Sequence, residues 1–275
     1  MLAVEATLGL SSTRPMRKED LEQIHILWDQ LADFEAADMD VALEHLMTAL
    51  CQLIDAQNVT WIGAVRLDNS CSDDPVHGWR VRHVRFLHTF PSRDEAVKEQ
   101  IKGLEQSDMV DDTTVRNVAL AGTFRANRLC DLVPHEWFSS DYYYRYYRNF
   151  GYSDAIWVAF PVNPDAEPYF GIYRDLDHEP FTVEERDTVA YALRGLKWFH
   201  RRTLLSHGLL VATSPLSPAE RKAMHLLLTG MAEKEIAQQL GLAVSTTHQH
   251  ITSLFRKFNV SSRAALMSLW LNRPA

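Results

Sequence analysis

The sequence predicts an α+β protein: an N-terminal α/β sandwich, in which helices flank a small antiparallel sheet, followed by a C-terminal domain of four helices. Apolar residues recur at steps of three and four over 21–34 and 41–54, as in amphipathic helices. The stretches 58–67 and 79–89 are instead short and rich in β-branched and aromatic residues. From residue 216 onward every pattern is helical, which indicates a second domain.

The remaining patterns complete this order of elements. We expect helices over 92–106, 115–128, 139–150 and 182–206, and two further strands over 155–162 and 169–174. Gly151 is expected to end the helix before it, because glycine readily adopts the left-handed conformation found after helices. The predicted divisions are a loose leader (1–16), an N-terminal domain (17–207), a short linker (208–215) and a C-terminal domain (216–275).

Composition narrows the class of protein. Of 275 residues, 46% are hydrophobic and 23% charged, which is typical of a globular chain with a sizeable core. No apolar run approaches the roughly 20 residues that cross a bilayer, so we expect no membrane partner. The three cysteines, Cys51, Cys71 and Cys130, form no CxxC pair, so neither a disulfide framework nor a metal site is expected. A cytoplasmic location is therefore expected, and no cofactor is expected. His83 and His88 point to opposite faces of a strand, which argues against a shared metal site.

Charge is distributed unevenly along the chain. Residues 214–275 contain seven Lys and Arg against three acids, a net charge of +4, which leaves −12 on the remainder. A basic end joined to an acidic body indicates a nucleic-acid-binding end.

The basic end begins with a capping-box pattern, in which Ser217 precedes Pro218 and Glu220 follows three residues after the serine. A second helix is expected from about 232 to 240, ended by Gly241, and a third over 244–258. Two short helices joined by a tight turn that contains glycine are typical of a helix-turn-helix.

The third helix has two distinct faces. Thr247, Ile251, Leu254 and Phe258 share one stripe, which we expect to be buried. The other stripe is polar, contains no acid, and consists of Ser245, His248, Gln249, Thr252 and Arg256. Such a face suits a helix in the major groove, where side chains reach base edges and a carboxylate would repel phosphate. The alternative is a solvated helix face.

Residues 216–266 resemble the LuxR-type, or GerE-type, helix-turn-helix of bacterial regulators. The matching pieces are LSPAE at 216–220, Gly230, KEIAxxLGL at 234–242, TxxxHI at 246–251 and LFRKFxVxSR at 254–263. The resemblance implies four helices, double-stranded DNA as partner, and a homodimer often formed through the last helix, here 262–271.

The same resemblance implies the DNA-contacting residues. The base-contacting positions fall on His248, Gln249 and Thr252; the phosphate-contacting positions fall on Lys234, Ser245, Thr246 and Lys257, with Arg256 nearby. Gln249 suits an adenine edge, whereas Lys257 is equally consistent with a solvated lysine. Two positions depart from the family: Ala243 replaces the usual Ser or Thr cap, and Thr247 the usual Val. The base-reading positions also lack Lys and Arg, so modest electrostatic affinity is expected.

The N-terminal part resembles the GAF- or PAS-like sensors of other LuxR-type regulators. The resemblance rests on SDYYYRYYRNFGYSDAIWVAFP at 140–161, on 171–174 and on 181–186. Related receptors in quorum sensing pair a Trp with a Tyr four residues later and carry an Asp-Pro. Here Asp141 follows Trp137 at that spacing and Ala155 follows Asp154, so an acyl-homoserine lactone is not expected.

The expected function is a bacterial DNA-binding transcription regulator whose N-terminal domain senses a small molecule. The candidate ligand-binding residues are Tyr143, Tyr147, Trp137, Trp61 and Trp157, for which packing in the core is the alternative. The alternative function is a regulator whose N-terminal domain is a ligand-free protein-interaction or dimerisation module. No catalytic constellation stands out, so an enzyme is not expected.

Overall fold

The computed structural model of the protein describes residues 16–67, 73–89, 98, 102, 110–210 and 216–270. The helix expected over 92–106, nearly all of the leader and most of the linker lie outside the described residues. Two compact units emerge: the first combines residues up to Asp29 with His45–Lys197, and the second combines Gln30–Glu44 with residues from Trp198 onward. No helix among the described residues is long and apolar enough to span a membrane.

The described residues of the first unit contain an antiparallel sheet of five strands, which confirms the predicted antiparallel sheet. The strands are β1 (Asn58–Arg66), β2 (Trp79–Phe86), β3 (Arg125–Arg128), β4 (Tyr152–Ala159) and β5 (Ala166–Asp175), in the order β2-β1-β5-β4-β3. In the register, Thr60 of β1 lies opposite Gly171 of β5, and Gly171 lies opposite Trp157 of β4. These pairs place residues from three neighbouring strands in one row across the sheet.

Before residue 210 the described part of the chain contains seven α-helices. They are α1 (Lys18–Asp33), α2 (Met39–Ile54), α3 (Asp112–Ala119), α4 (Leu129–Leu132), α5 (Asp141–Tyr146), α6 (Val183–Arg194) and α7 (Lys197–Ser206). Short 3-10 turns lie at Ala36–Asp38, His135–Ser139 and Arg148–Phe150. Gly151, with φ of +83°, ends the last of these turns as predicted.

The single helix expected over 182–206 is instead two helices, broken at Gly195. The Trp28 indole Nε1 donates a hydrogen bond of 2.8 Å to the carbonyl of Ala192. In a continuous helix that carbonyl would accept from the amide of Leu196, which here bonds to Leu193 instead. A Cβ on Gly195 would lie 2.5 Å from the Trp28 ring, so any other residue at this position would clash with the indole.

The helix expected over 115–128 is also different, because the segment ends as a strand. The helix α3 begins earlier, with the Asp111 carboxylate accepting from the amide of Thr114. The chain then turns at Gly122 and forms β3. The Arg125 guanidinium donates to the Glu167 carboxylate at 2.8 Å and to the Tyr169 hydroxyl at 2.9 Å, both on β5. Partners more than 40 residues away hold this strand, so local periodicity does not reveal it.

The second unit contains the C-terminal helices α8 (Pro218–Leu228), α9 (Glu233–Leu240), α10 (Val244–Lys257) and α11 (Arg263–Trp270). The predicted capping box is present: Ser217 and Glu220 each accept a hydrogen bond from the other's amide. Gly241, with φ of +66°, ends α9. A core of buried apolar side chains joins the four helices and includes Met224, Leu227, Ile236, Ile251, Leu254, Phe258 and Leu266.

Candidate DNA-binding surface and N-terminal cavity

The two faces of α10 lie as the sequence predicts. The stripe of Thr247, Ile251, Leu254 and Phe258 is buried in the domain core. The opposite stripe of Ser245, His248, Gln249, Thr252 and Arg256 is exposed along its whole length. Ala243 precedes the helix and provides no side-chain hydrogen bond to its first turn. An exposed polar helix face is therefore available to DNA. The helix lacks a side-chain cap at its N-terminus, and the loss of such a cap costs about 1 kcal/mol.

The predicted phosphate-contacting residues differ in their surroundings. Lys234 on α9 is exposed, and Thr246 is half-buried. Lys257 forms an ion pair of 2.7 Å with Glu220 of α8, and only 18% of its side chain is exposed. Its charge is therefore compensated within the domain, so it is not a solvated lysine, and a phosphate contact at this residue stays a prediction.

Glu220 connects α8 to α10. Its carboxylate accepts hydrogen bonds of 2.7 Å from the Lys257 ammonium, the Ser253 hydroxyl and the Ser217 amide. Burial raises the pKa of this carboxyl, but the hydrogen bonds from these three residues outweigh burial and lower the pKa to about 2. Glu220 is thus ionised at neutral pH and fixes the end of α10 against α8.

An acid lies beside the exposed polar stripe of α10, although the stripe itself has none. The Glu233 carboxylate, at the first turn of α9, is 3.0 Å from Nδ1 of His248, and both side chains are exposed. The residues of α10 alone do not reveal this acid, because Glu233 belongs to the neighbouring helix. The stripe itself contains no acid, as the sequence shows, but the neighbouring helix adds a carboxylate beside it.

The first unit contains a cavity of about 120 Å³ between the sheet, α3 and α5. Its described lining is mostly apolar and aromatic, with a few polar groups: Thr60, Ile62, Ala64, Val76, Trp79, Arg80, Val81, Val84, Phe86, Val110, Thr113, Thr114, Asn117, Val118, Tyr142, Tyr146, Tyr147, Phe150, Tyr152, Trp157, Tyr169 and Tyr173. Such a composition is typical of small-molecule sites.

The strand period decides which predicted residues meet this cavity. Thr60, Ile62 and Ala64 of β1 line it, so Trp61 points to the other face of the sheet, where it is fully buried. Trp157 of β4 does line the cavity, together with Tyr147, which directly follows α5. Of the two predicted tryptophans on strands, the structure therefore brings only one to the cavity.

The other two predicted residues, Tyr143 and Trp137, are absent from the described lining. They belong to a buried aromatic cluster in which the Trp137 ring lies 5.6 Å from the Tyr143 ring and 5.7 Å from the Tyr147 ring. The Tyr143 hydroxyl donates to the carbonyl of Ser153 at 2.9 Å. Trp137 and Tyr143 therefore pack against Tyr147 in the buried cluster and belong to the core.

A hydrogen bond and a neighbouring glycine fix the position of the Trp157 ring. Its indole Nε1 donates to the Tyr147 hydroxyl at 3.2 Å. A Cβ at Gly171 would lie 2.8 Å from the Trp157 ring and 2.8 Å from the Tyr173 hydroxyl, so only glycine leaves room for that ring. Gly171 therefore admits the ring of Trp157, which lines the cavity, and the sequence signals this only as a glycine inside a strand.

Asn117 is a polar cavity residue that sequence reasoning missed. It is 6% exposed, and its amide Nδ2 donates to the carbonyl of Thr113 at 3.1 Å. Its Oδ1 is buried and accepts no hydrogen bond from any residue that the structure describes. On the expected helix 115–128 this residue is one polar position among several, and only its place in the cavity lining distinguishes it.

The described residues give little support for a metal site or a reactive cysteine. Among residues 16–67, 73–89, 110–210 and 216–270, no group of three or more His, Cys, Asp or Glu could hold a metal ion. Cys51 and Cys130 are free thiols, and burial raises the pKa of Cys51 to about 11, which disfavours its reactive thiolate. Cys71 lies outside the described residues.

Comparison with known proteins gives matches to the C-terminal residues. The family model of bacterial regulatory proteins of the luxR family (GerE) matches residues 214–270. The transcriptional regulatory protein UhpA of Escherichia coli is 44% identical over 52 residues, 19% of this chain and 26% of UhpA. The transcriptional regulator MalT of Vibrio campbellii is 39% identical over 54 residues, 20% of this chain and 6% of MalT. The matched segment thus spans about a quarter or less of these relatives.

Two solved structures cover more of the chain at low similarity. SdiA in complex with octanoyl-rac-glycerol has 13% identity and a TM-score of 0.47, covering 93% of this chain and 97% of SdiA. The VqsR ligand-binding domain from Pseudomonas aeruginosa has 12% identity and a TM-score of 0.46, covering 69% of this chain and 98% of that domain. Both scores lie below 0.5 and identify no fold, so the likeness to GAF and PAS sensors stays a prediction.

The C-terminal match agrees with the geometry of the second unit, where a capped helix, a tight glycine turn and an exposed polar helix follow one another in that order. Residues 214–270 are a helix-turn-helix domain of the luxR family of bacterial regulatory proteins, and such a domain implies DNA binding.

Proposed function

We propose that this protein is a transcription regulator that binds double-stranded DNA through α10 and receives a small molecule in its N-terminal cavity. The observation that carries the proposal is the exposed stripe of α10, set on a buried core in a luxR-family domain. His248, Gln249 and Thr252 are assigned to base edges. Lys234, Ser245, Thr246 and Arg256 are assigned to the phosphate backbone, whereas Lys257 supports α10 from within the domain.

The cavity supports the small-molecule part of the proposal. Its volume of about 120 Å³ is roughly ten times the 10–15 Å³ that one water needs. A ligand-free interaction or dimerisation module, the alternative, needs no such space, and a well-packed interior would favour it. We therefore prefer a ligand-responsive regulator, and include in the proposal a homodimer that places two copies of α10 on half-sites about one helical turn apart.

Selection from a randomised duplex library tests the DNA-binding part. The full chain should enrich one motif, and log affinity for it should fall linearly with log salt concentration. Gln249→Ala is expected to weaken binding to the enriched motif by about tenfold and to leave binding to unrelated DNA nearly unchanged, because a bidentate base contact contributes about 1–3 kcal/mol of discrimination. Gln23→Ala, an exposed glutamine of α1, is the matched control.

Two results would count against this proposal. The first is binding that is indifferent to salt, since phosphate contacts release counterions. The second is an enriched motif that Gln249→Ala and Gln23→Ala recognise equally well, because the α10 stripe would then not read the bases.

A further inference from the structure

We infer that Glu233 sets the tautomer of His248, so that Nε2 of His248 accepts a hydrogen bond from the exocyclic amino group of an adenine or a cytosine in the major groove. The inference deepens the proposed function and rests on its assignment of His248 to a base edge. Glu233 is thereby a positioning residue, which acts on the DNA through the imidazole.

The contact between the two side chains is the first step. The Glu233 carboxylate lies 3.0 Å from Nδ1 of His248, within hydrogen-bond distance. An ionised carboxylate offers only acceptors, so in a neutral imidazole the hydrogen of this bond belongs to Nδ1. The other ring nitrogen, Nε2, then carries no hydrogen and presents a lone pair. An imidazole without such a partner favours the opposite tautomer, so the contact changes what His248 offers to DNA.

The position of Glu233 is the second step. Glu233 is the first residue of α9, where the positive end of the helix dipole favours an acid. The side chains of His248 and Glu233 are 63% and 41% exposed. An exposed pair of this kind adds little to stability, but a hydrogen bond to one imidazole nitrogen decides which nitrogen carries the hydrogen. The contact therefore suits recognition better than it suits holding the domain together.

The outward end of the imidazole is the third step. His248 lies on the exposed stripe of α10, and its Nε2 hydrogen-bonds to no residue within the described ranges. In the major groove the donors are the amino groups of adenine and cytosine, whereas guanine presents N7 and O6 and thymine presents O4, all of which are acceptors. An accepting Nε2 therefore selects an amino group and rejects guanine and thymine at the same place.

Deletion of single amino groups from the DNA tests the inference with the full chain. Each adenine and cytosine of the motif that the randomised library yields is replaced in turn by purine or 2-pyrimidinone, which lack only the amino group. Affinities are measured at about pH 8.5, where histidines are ordinarily neutral. One replacement should cost about tenfold in wild type and less than twofold in His248→Ala, which identifies the base that His248 contacts.

Variants of α9 then test the role of Glu233. In Glu233→Ala the identified replacement should cost less than twofold, because the hydrogen moves to Nε2. Glu235→Ala removes an exposed acid from the same turn and is the matched control, which should keep the tenfold cost. The measured quantity is the ratio of the affinities for intact and altered DNA, so a general effect of the removed charge cancels.

The tautomer is also observable without DNA. Long-range proton–nitrogen correlation spectra of the histidine-labelled full chain, at the same pH, distinguish a protonated ring nitrogen from an unprotonated one. His248→Ala assigns the signals. Wild type and Glu235→Ala should carry the hydrogen on Nδ1 of His248, and Glu233→Ala should carry it mostly on Nε2, a change that a purely structural role of Glu233 would not produce.

The outcomes separate the inference from the proposed function. If wild-type His248 carries its hydrogen on Nε2, or if Glu233→Ala keeps the tenfold cost, the inference fails and the base-reading role of His248 stands. If the contacted base is instead a guanine, revealed by a loss with 7-deazaguanine that disappears in His248→Ala, Nε2 donates and the inference is overturned. If no base couples to His248, its assignment in the proposed function fails, and the inference fails with it. A tenfold cost that disappears in Glu233→Ala and persists in Glu235→Ala, with the hydrogen on Nδ1, supports both.

Discussion

Replacing Glu220 with glutamine is expected to destabilise the DNA-binding domain by about 2–3 kcal/mol at pH 7. The carboxyl pKa falls from its ordinary 4.5 to about 2 in the folded domain, and about 2.5 units at about 1.4 kcal/mol each correspond to about 3 kcal/mol. The side chain is only 7% exposed, so solvent screens this interaction little. The lower end of the range allows for hydrogen bonds that the amide retains.

The sign of the pH dependence follows from the direction of this shift. A carboxyl whose folded pKa is lowered contributes stability that is complete above about pH 4.5 and is lost as the pH falls toward 2. The difference between wild type and Glu220→Gln should therefore be largest at neutral pH and shrink steadily below pH 4.5.

Native-state hydrogen exchange on the full chain, followed in peptides that cover α8 and α10, measures this difference locally. Glu235→Gln is the matched control, because its carboxylate also accepts a backbone amide, that of Ala232, at 2.7 Å but is exposed, so a smaller loss is expected. A loss below about 0.5 kcal/mol in Glu220→Gln, or an equal loss at pH 7 and pH 3, would refute the reasoning.

Three further changes have defined outcomes. Glu233→Gln should tighten DNA binding about two- to fivefold at low salt in a gel-shift titration, because it removes an exposed negative charge beside His248. Gly171→Ala should cost about 1–3 kcal/mol in urea unfolding, because the added Cβ meets the Trp157 ring at 2.8 Å. Burial lowers the pKa of His225, so stability should fall as the pH drops below its ordinary 6.5, and His225→Gln should flatten that fall in thermal melts.

Each of these predictions has a control within the chain. Glu22→Gln removes an exposed acid of α1 and should leave DNA affinity unchanged. Trp157→Phe combined with Gly171→Ala should recover part of the stability lost in Gly171→Ala, since a smaller ring relieves the contact. His135→Gln, at an exposed histidine, should leave the pH dependence of melting as it is in wild type. The opposite result in any pair contradicts the stated cause.

Predictions from local patterns agree well with the structure. The capping box at Ser217, the glycines that end segments at positions 151 and 241, and both faces of α10 depend on residues within about one to four helical turns of each other. Signals of this kind are encoded by neighbouring side chains and backbone angles, so the sequence carries them in full.

The features that local patterns do not predict each involve a partner that is distant in sequence. The break at Gly195 depends on Trp28, the strand β3 on Glu167 and Tyr169, and the charge beside His248 on a residue of another helix. Periodicity within a window of residues contains no information about such partners, so the pattern predicts a continuous helix through both breaks.

The sequence by itself determined the helix-turn-helix and the side of α10 that faces outward, because helical spacing and caps are local. It did not show that Gln30–Glu44 groups with the residues from Trp198 onward. The tertiary structure alone decided that Trp157 meets the cavity while Trp61 is buried on the other face, since the pairing of strands sets which alternate residues share a face. It also decided that Glu220 neutralises Lys257, because that pairing depends on which distant groups folding brings within hydrogen-bond distance.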